Sequence, residues 1–270
     1  QRFQQVMRDI SSNLKQVYNA HSVTVVPGGG SFGMEAVARQ FATGQHCLVI
    51  RNGFFSYRWS QIFEMGSIPS KETVLKASPT SDQPQAPFAP APIEQVVATI
   101  KAEKPAMVFA PHVETASGII LPDDYLKQVA DAVHSVGGLF VLDCIASGTI
   151  WVDMKAIGVD VLISAPQKGW SSSPCSALVM LSEAADQRLH ETTSTSFACD
   201  LRKWRDIMIA YENGGHAYHA TMPTDALRGF RDTMLETMKE GLTAVKERQW
   251  KLGTAVRELM AKHGFASVAA

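Results

Sequence analysis

Net charge is nearly absent from this 270-residue sequence: 25 lysines and arginines face 26 aspartates and glutamates, leaving a formal charge of -1. A basic grip on nucleic acid, or an acidic solvating tail, is thereby excluded as the main activity. Long hydrophobic runs are missing too. No stretch approaches the roughly 20 apolar residues that span a bilayer, and residues 1–9 lack the charged-then-apolar layout of a secretory signal. Cysteine pairing is also missing, since Cys47, Cys144, Cys175 and Cys199 form no C-x-x-C pair and no zinc spacing. They read as buried thiols of a reducing compartment, which predicts a cytoplasmic protein. There is no internal repeat and no low-complexity tract. Charged residues make up 19% and hydrophobic ones 46%, so the chain can bury a large core as one large or two small domains.

What is present is alternation of short β-branched runs with longer helical patterns. Residues 21–26 read as a strand ending at Pro27-Gly28-Gly29-Gly30, and Ser31 stands as an N-cap before a helical stretch at 34–41. Further strands are expected at 47–50, 73–76, 106–110, 139–142, 161–163 and 177–181, with helices at 55–65, 93–103 and 122–136. The alternation predicts an α/β fold with a mostly parallel sheet covered by helices on both faces. Residues 78–92 carry Pro79, Pro84, Pro87, Pro90 and Pro92, which exclude a central strand or a helix interior and imply a surface crossing. At the C-terminal end, Leu227, Phe230, Met234, Met238, Leu242 and Val245 recur at spacings of three and four. They predict one long helix over 224–263. Such a helix usually links a large domain, here 1–223, to a smaller one beginning within 224–270.

Three constellations can carry chemistry. The loop Gly28-Gly29-Gly30-Ser31-Phe32-Gly33 lies between a strand and a helix, where exposed N–H groups and the positive helix end make an anion site. It also satisfies G-x-G-x-x-G, the dinucleotide fingerprint, but the next strand ends in Ile50-Arg51-Asn52 and not in an acid. Arg51 would suit a 2′-phosphate, so an NADP-linked oxidoreductase stays open. Taken alone, the loop reads first as a tight βα turn without a ligand. Asp143 ends an apolar strand and sits at the edge where open α/β sheets bind ligands, though an aspartate capping a turn is as common. Lys168, 25 positions later, follows the strand at 161–163. Partial desolvation there would lower its pKa and favour the nucleophilic amine, whereas an ordinary lysine lies on a polar surface loop. The conjunction decides. Pyridoxal phosphate needs a lysine for its imine, a carboxylate for its pyridine nitrogen and a helix N-terminus for its phosphate.

The ordered motifs His112-Val-Glu114-Thr115-Ala-Ser117-Gly118, Asp143-Cys-Ile-Ala-Ser147 and Ser164-Ala-Pro-Gln167-Lys168 resemble the class V aminotransferases. Within them, the alanine–glyoxylate and serine–pyruvate group is the nearest likeness. The resemblance implies the fold-type-I pyridoxal-phosphate architecture and transamination between a small amino acid and glyoxylate or pyruvate. Lyases, desulfurases and decarboxylases that use the same lysine and aspartate form the alternative. It further implies that Lys168 is the Schiff-base lysine, that Gln167 reaches the cofactor phosphate, and that Asp143 pairs with the pyridinium nitrogen. Gly29, Gly30 and Ser31 match the phosphate loop, Phe55 the aromatic that stacks on the ring, and Thr115 the residue beside the ring hydroxyl. Tyr218 and Thr221 match a segment that a second subunit lends to the phosphate, which implies a homodimer. Family members extend before Gln1 and beyond Ala270, so a fragment is expected, with the arginine for the substrate carboxylate past residue 270. After Lys168 the family usually shows Pro-Pro-Gly, while this chain has Ser172-Ser173-Pro174-Cys175. His216 and His219, three apart, have no third ligand at metal spacing.

Overall fold

The computed structural model describes residues 2–270. Seven strands form the central sheet: β1 (Ser22–Pro27), β2 (His46–Arg51), β3 (Lys71–Lys76), β4 (Met107–Pro111), β5 (Leu139–Asp143), β6 (Val161–Ser164) and β7 (Ser176–Leu181). Their order is β1-β7-β6-β5-β4-β2-β3. Only β7 runs against its neighbours, pairing antiparallel with β1 and with β6. The remaining pairings are parallel, as the strand–helix alternation predicts.

The central strands are buried along their whole length because side chains on both sheet faces meet helices. Alternate residues separate cleanly. Val108, Ala110, Phe140 and Leu142 join a core with α1 (Arg2–Tyr18), α4 (Ile93–Glu103) and α5 (Asp123–Ser135). Met107, Phe109, Leu139 and Val141 face the opposite core, with α2 (Gly30–Val37), α3 (Phe54–Gly66), α7 (Glu183–Glu191) and α8 (Leu201–Glu212). There Trp59 and Phe63 of α3 pack on Phe109, with ring centroids 4.5 and 5.2 Å away. Helix α1, unassigned from the sequence, buries Val6, Met7, Ile10, Leu14 and Val17 on one face. A single turn, α6 (Met154–Ile157), lies between β5 and β6.

Two expectations need correction. Residues 224–263 are two helices, α9 (Thr224–Glu240) and α10 (Leu242–Lys262), parted at Gly241. Its φ of +103° is a conformation that favours glycine. Periodicity of apolar residues continues through the break, which is why the sequence conceals it. Ser31 is not the N-cap of α2. Gly29 is, and the helix begins at Gly30 and passes into a π turn over Ala38–Ala42. The proline-rich crossing carries only a two-residue ribbon, Ser78–Pro79 with Phe88–Ala89.

Candidate active site

Loops following β1, β2, β4, β5 and β6 meet at the C-terminal edge of the parallel strands. Gly28 turns the chain out of β1 with φ +116°, and a Cβ there would strike the Phe32 ring. Gly29 is extended, and a Cβ on it would point into open space. Gly30 has no such freedom: a Cβ would collide with the side chain of Ile145. The loop beyond β5 is therefore pressed against the first turn of α2.

Between them lies a cavity of about 220 Å³. Gly30 and Ser31 line it from α2, Phe55 and Arg58 from α3, Thr115 from beyond β4, and Asp143 and Ile145 from the end of β5. Gln167 and Lys168, following β6, close it. Seven of the residues read from the sequence thus share one wall, namely Gly30, Ser31, Phe55, Thr115, Asp143, Gln167 and Lys168. Gly29 caps the helix at its rim. Tyr218 and Thr221 do not line it; both are exposed.

Asp143 is 7% exposed. Burial pushes its carboxyl up to about 6 against the single opposing backbone N–H of Ile145, 2.9 Å away, while Glu114 adds to the rise and Arg58 opposes it. An acid this desolvated gains from a cationic partner. Lys168 departs from expectation: it is exposed in the single chain, so burial within this chain does not supply the desolvation anticipated for it. Gln167 Oε1 is buried without a hydrogen-bond partner.

Three residues to which the sequence assigned no role organise the wall. The buried Glu114 carboxylate accepts the N–H groups of Phe55 and Ser56, at 3.1 and 2.9 Å, and the Ser56 hydroxyl at 2.7 Å. It thereby caps α3 and aims Phe55. Arg58 Nη1 donates to Ser31 Oγ at 2.8 Å, and its guanidinium lies 5.2 Å from the Phe55 ring centroid. Its position three residues after Phe55, on the same helix face, was the available signal. His112 is buried and pushed down to about 4 by desolvation. Its Nδ1 meets Ser147 Oγ at 2.7 Å, and its backbone N–H donates to Asp143 O at 2.8 Å.

Other candidates lose their case. Arg51 donates to Ser60 Oγ at 3.2 Å and lies 4.5 Å over the Tyr57 ring, outside the cavity where a 2′-phosphate reading would want it. His219 Nε2 is held by Phe197 O at 2.8 Å, and no metal-ligating cluster exists among the described residues. A larger cavity of about 630 Å³ opens at the opposite sheet edge beside His134 and Asp160. There Asp160 is fully engaged by the Phe140 N–H, the Ser182 hydroxyl and His134 Nε2. Volume does not decide the site; unsatisfied chemistry does.

A family model described as Aminotransferase class-V matches residues 1–269. The chain is 26% identical over 236 residues to an L-aspartate–glyoxylate aminotransferase of Paracoccus denitrificans, covering 87% of this chain and 57% of that protein. It is 26% identical over 255 residues to an alanine–glyoxylate aminotransferase of Felis catus, with 92% and 57% covered. The chain thus spans little more than half the length of these curated relatives. Among solved structures, an alanine–glyoxylate aminotransferase from Nostoc sp. superposes with a TM-score of 0.83 at 23% identity, covering 98% of this chain and 67% of that one.

Proposed function

The chain belongs to the class-V aminotransferase family, and from that premise we propose that it binds pyridoxal phosphate and transaminates a small amino acid with a small 2-oxo acid as acceptor. The observation that carries this is the shared wall: a desolvated carboxylate and a primary amine face one cavity beside a helix N-terminus. Both relatives above are named as glyoxylate aminotransferases, which makes glyoxylate the first acceptor to test.

The residues fit the cofactor. The amides of Gly30 and Ser31 open α2 and suit a phosphate. Ser31 Oγ already accepts from Arg58, so its own hydrogen is free to donate. Gln167 Nε2 would be the donor toward a phosphate, while its unpartnered Oε1 is an acceptor. Phe55 would offer a ring face worth about 0.5–1.5 kcal/mol beyond area burial, and Thr115 lines the same cavity. When bound, pyridoxal phosphate supplies an aldehyde that condenses with amines and a ring that withdraws electrons from the substrate α-carbon. Asp143 would keep the ring nitrogen protonated, and that ion pair would offset the carboxylate's desolvation. Lys168 Nζ would be the amine that holds the cofactor aldehyde, and once free it would serve as the base for the substrate α-proton. Such acid–base help is typically worth about 10²–10⁴-fold.

A homodimer completes the reading. Tyr218 and Thr221 are exposed and outside their own chain's cavity, which fits a contribution to a partner's phosphate. Four buried free thiols fit a reducing compartment such as the cytoplasm, and among the described residues no helix is long and apolar enough to cross a membrane. Incubation with an amino donor and glyoxylate tests the activity, since only a transaminase requires both and forms glycine. Lys168→Ala is expected to abolish turnover and the visible absorbance of lysine-bound cofactor. Retention of both by that variant overturns the assignment.

A further inference from the structure

The end of β5 and the loop after β6 carry Asp143 and Lys168, and a helix remote from both in sequence touches the ground between them. Helix α10 presents Leu242, Val245 and Gln249, spaced three and four apart on one face, to residues 147–151. Leu242 O accepts from Trp151 Nε1 at 3.1 Å, and Val245 O accepts from Thr149 Oγ1 at 3.0 Å. Gln249 does most. Its Oε1 accepts the Thr149 N–H at 2.7 Å and shares the Thr149 hydroxyl hydrogen with Val245 O, at 3.0 Å, while its Nε2 donates to Ser147 O at 3.2 Å.

The contact is passed on. Gly148 has φ +61°, and the Gln249 amide fills the space where its Cβ would stand. On the far side, the Gly148 carbonyl fills the space of a Cβ on Gly169, the residue next to Lys168. Gln249, Gly148 and Gly169 are therefore stacked without a gap, and the stack ends at the proposed cofactor lysine. A second tie runs parallel to it: Trp151 packs on the buried Trp170, with centroids 4.8 Å apart. Ser147 leads back to the main chain of Asp143, because it holds His112, whose backbone N–H donates to the Asp143 carbonyl. Apart from Val245, the rest of α10 is not buried, and these bonds tie its face to the loop after β5.

We infer that Gln249 is a positioning residue: it clamps the loops bearing Asp143 and Lys168 in register, and so sets the geometry of the Lys168 amine against the Asp143 carboxylate. This rests on the cofactor reading for its chemical consequence, while the clamp itself is a property of the cofactor-free chain. Peptide-resolved hydrogen exchange on the wild-type chain and Gln249→Ala, without pyridoxal phosphate, separates the two. Loss of a clamp speeds exchange by about tenfold in residues 144–151 and also in 165–171, which Gln249 does not bond. Exchange accelerated only in 144–151, or nowhere, overturns the inference, because Gln249 would then hold its own loop alone. Arg248→Ala, one residue away and outside these bonds, should exchange as wild type in both segments. With pyridoxal phosphate added, Gln249→Ala should shift the pH midpoint of the visible band of lysine-bound cofactor. A wild type without any such band sinks the cofactor reading and leaves the exchange result to judge the clamp.

Discussion

Replacing Asp143 by asparagine tests whether this wall is built for a cation. The carboxyl, ordinarily near 3.8, is pushed up to about 6 by burial. At about 1.4 kcal/mol per tenfold change in proton affinity, that displacement sets about 3 kcal/mol against the ionised form in the cofactor-free chain. The sign follows from linkage. A folded-state value above the unfolded one means the protonated acid is no burden below about pH 4, and the cost grows as pH rises through about 6. Asparagine keeps an oxygen for the Ile145 N–H, 2.9 Å away, and has nothing to ionise. Without cofactor, Asp143→Asn is therefore expected to match wild type near pH 4 and to exceed it by about 3 kcal/mol at pH 7.5. Urea unfolding at several pH values, read as ΔG, measures the gap. Pyridoxal phosphate should then invert the order, because a pyridinium facing the carboxylate stabilises wild type and gains little from the amide. A gap that does not depend on pH refutes the desolvation argument, and a gap that pyridoxal phosphate leaves unchanged refutes the pairing.

Arg58→Gln removes the cation that holds Ser31. At about 1.5–3 kcal/mol for a hydrogen bond to a charged group, pyridoxal phosphate should bind about 10- to 100-fold more weakly. Pyridoxal without its phosphate should bind unchanged, and equal loss for both ligands would remove Arg58 from phosphate binding. Arg205→Ala tests the other end of the molecule. Its guanidinium, 8% exposed, reaches Asp186 and Glu212 at 3.1 Å each and ties α8 to α7. Breaking it should cost about 3–5 kcal/mol at pH 7 by urea unfolding. Burial would raise both acids, yet Ser22, Ser11, Lys15 and Arg205 hold them below their usual range. Their contribution is thus present above their ordinary values and fades on acidification as they take up protons. A penalty that persisted unchanged at pH 3 would contradict that account.

How far the site was legible depends on which physics placed each residue. Asp143 ends one apolar run and Lys168 follows another, and a buried parallel strand delivers its next residues to one sheet edge, so their shared edge could be read from the runs. The glycine loop was legible for the same reason, but the reason for each glycine was not. Gly28 answers to its φ, Gly30 to Ile145 more than 100 residues away, and Gly29 to neither. Lys168 was expected to be desolvated, yet its exposure depends on what surrounds the loop and not on its distance from a strand. Glu114 stood in view within a motif without a role, because a carboxylate acquires one only when a helix start, here Phe55 and Ser56, arrives from 58 residues away. Gly241 shows the limit most sharply. The spacing Met238, Leu242, Val245 reads as continuous helix, since a 3.6-residue period tests which face a residue occupies and is blind to a single φ of +103°. That break frees α10 to follow its own axis and lay 242, 245 and 249 along the loop after Asp143. An error about one glycine in the sequence is therefore the same fact as the clamp in the structure.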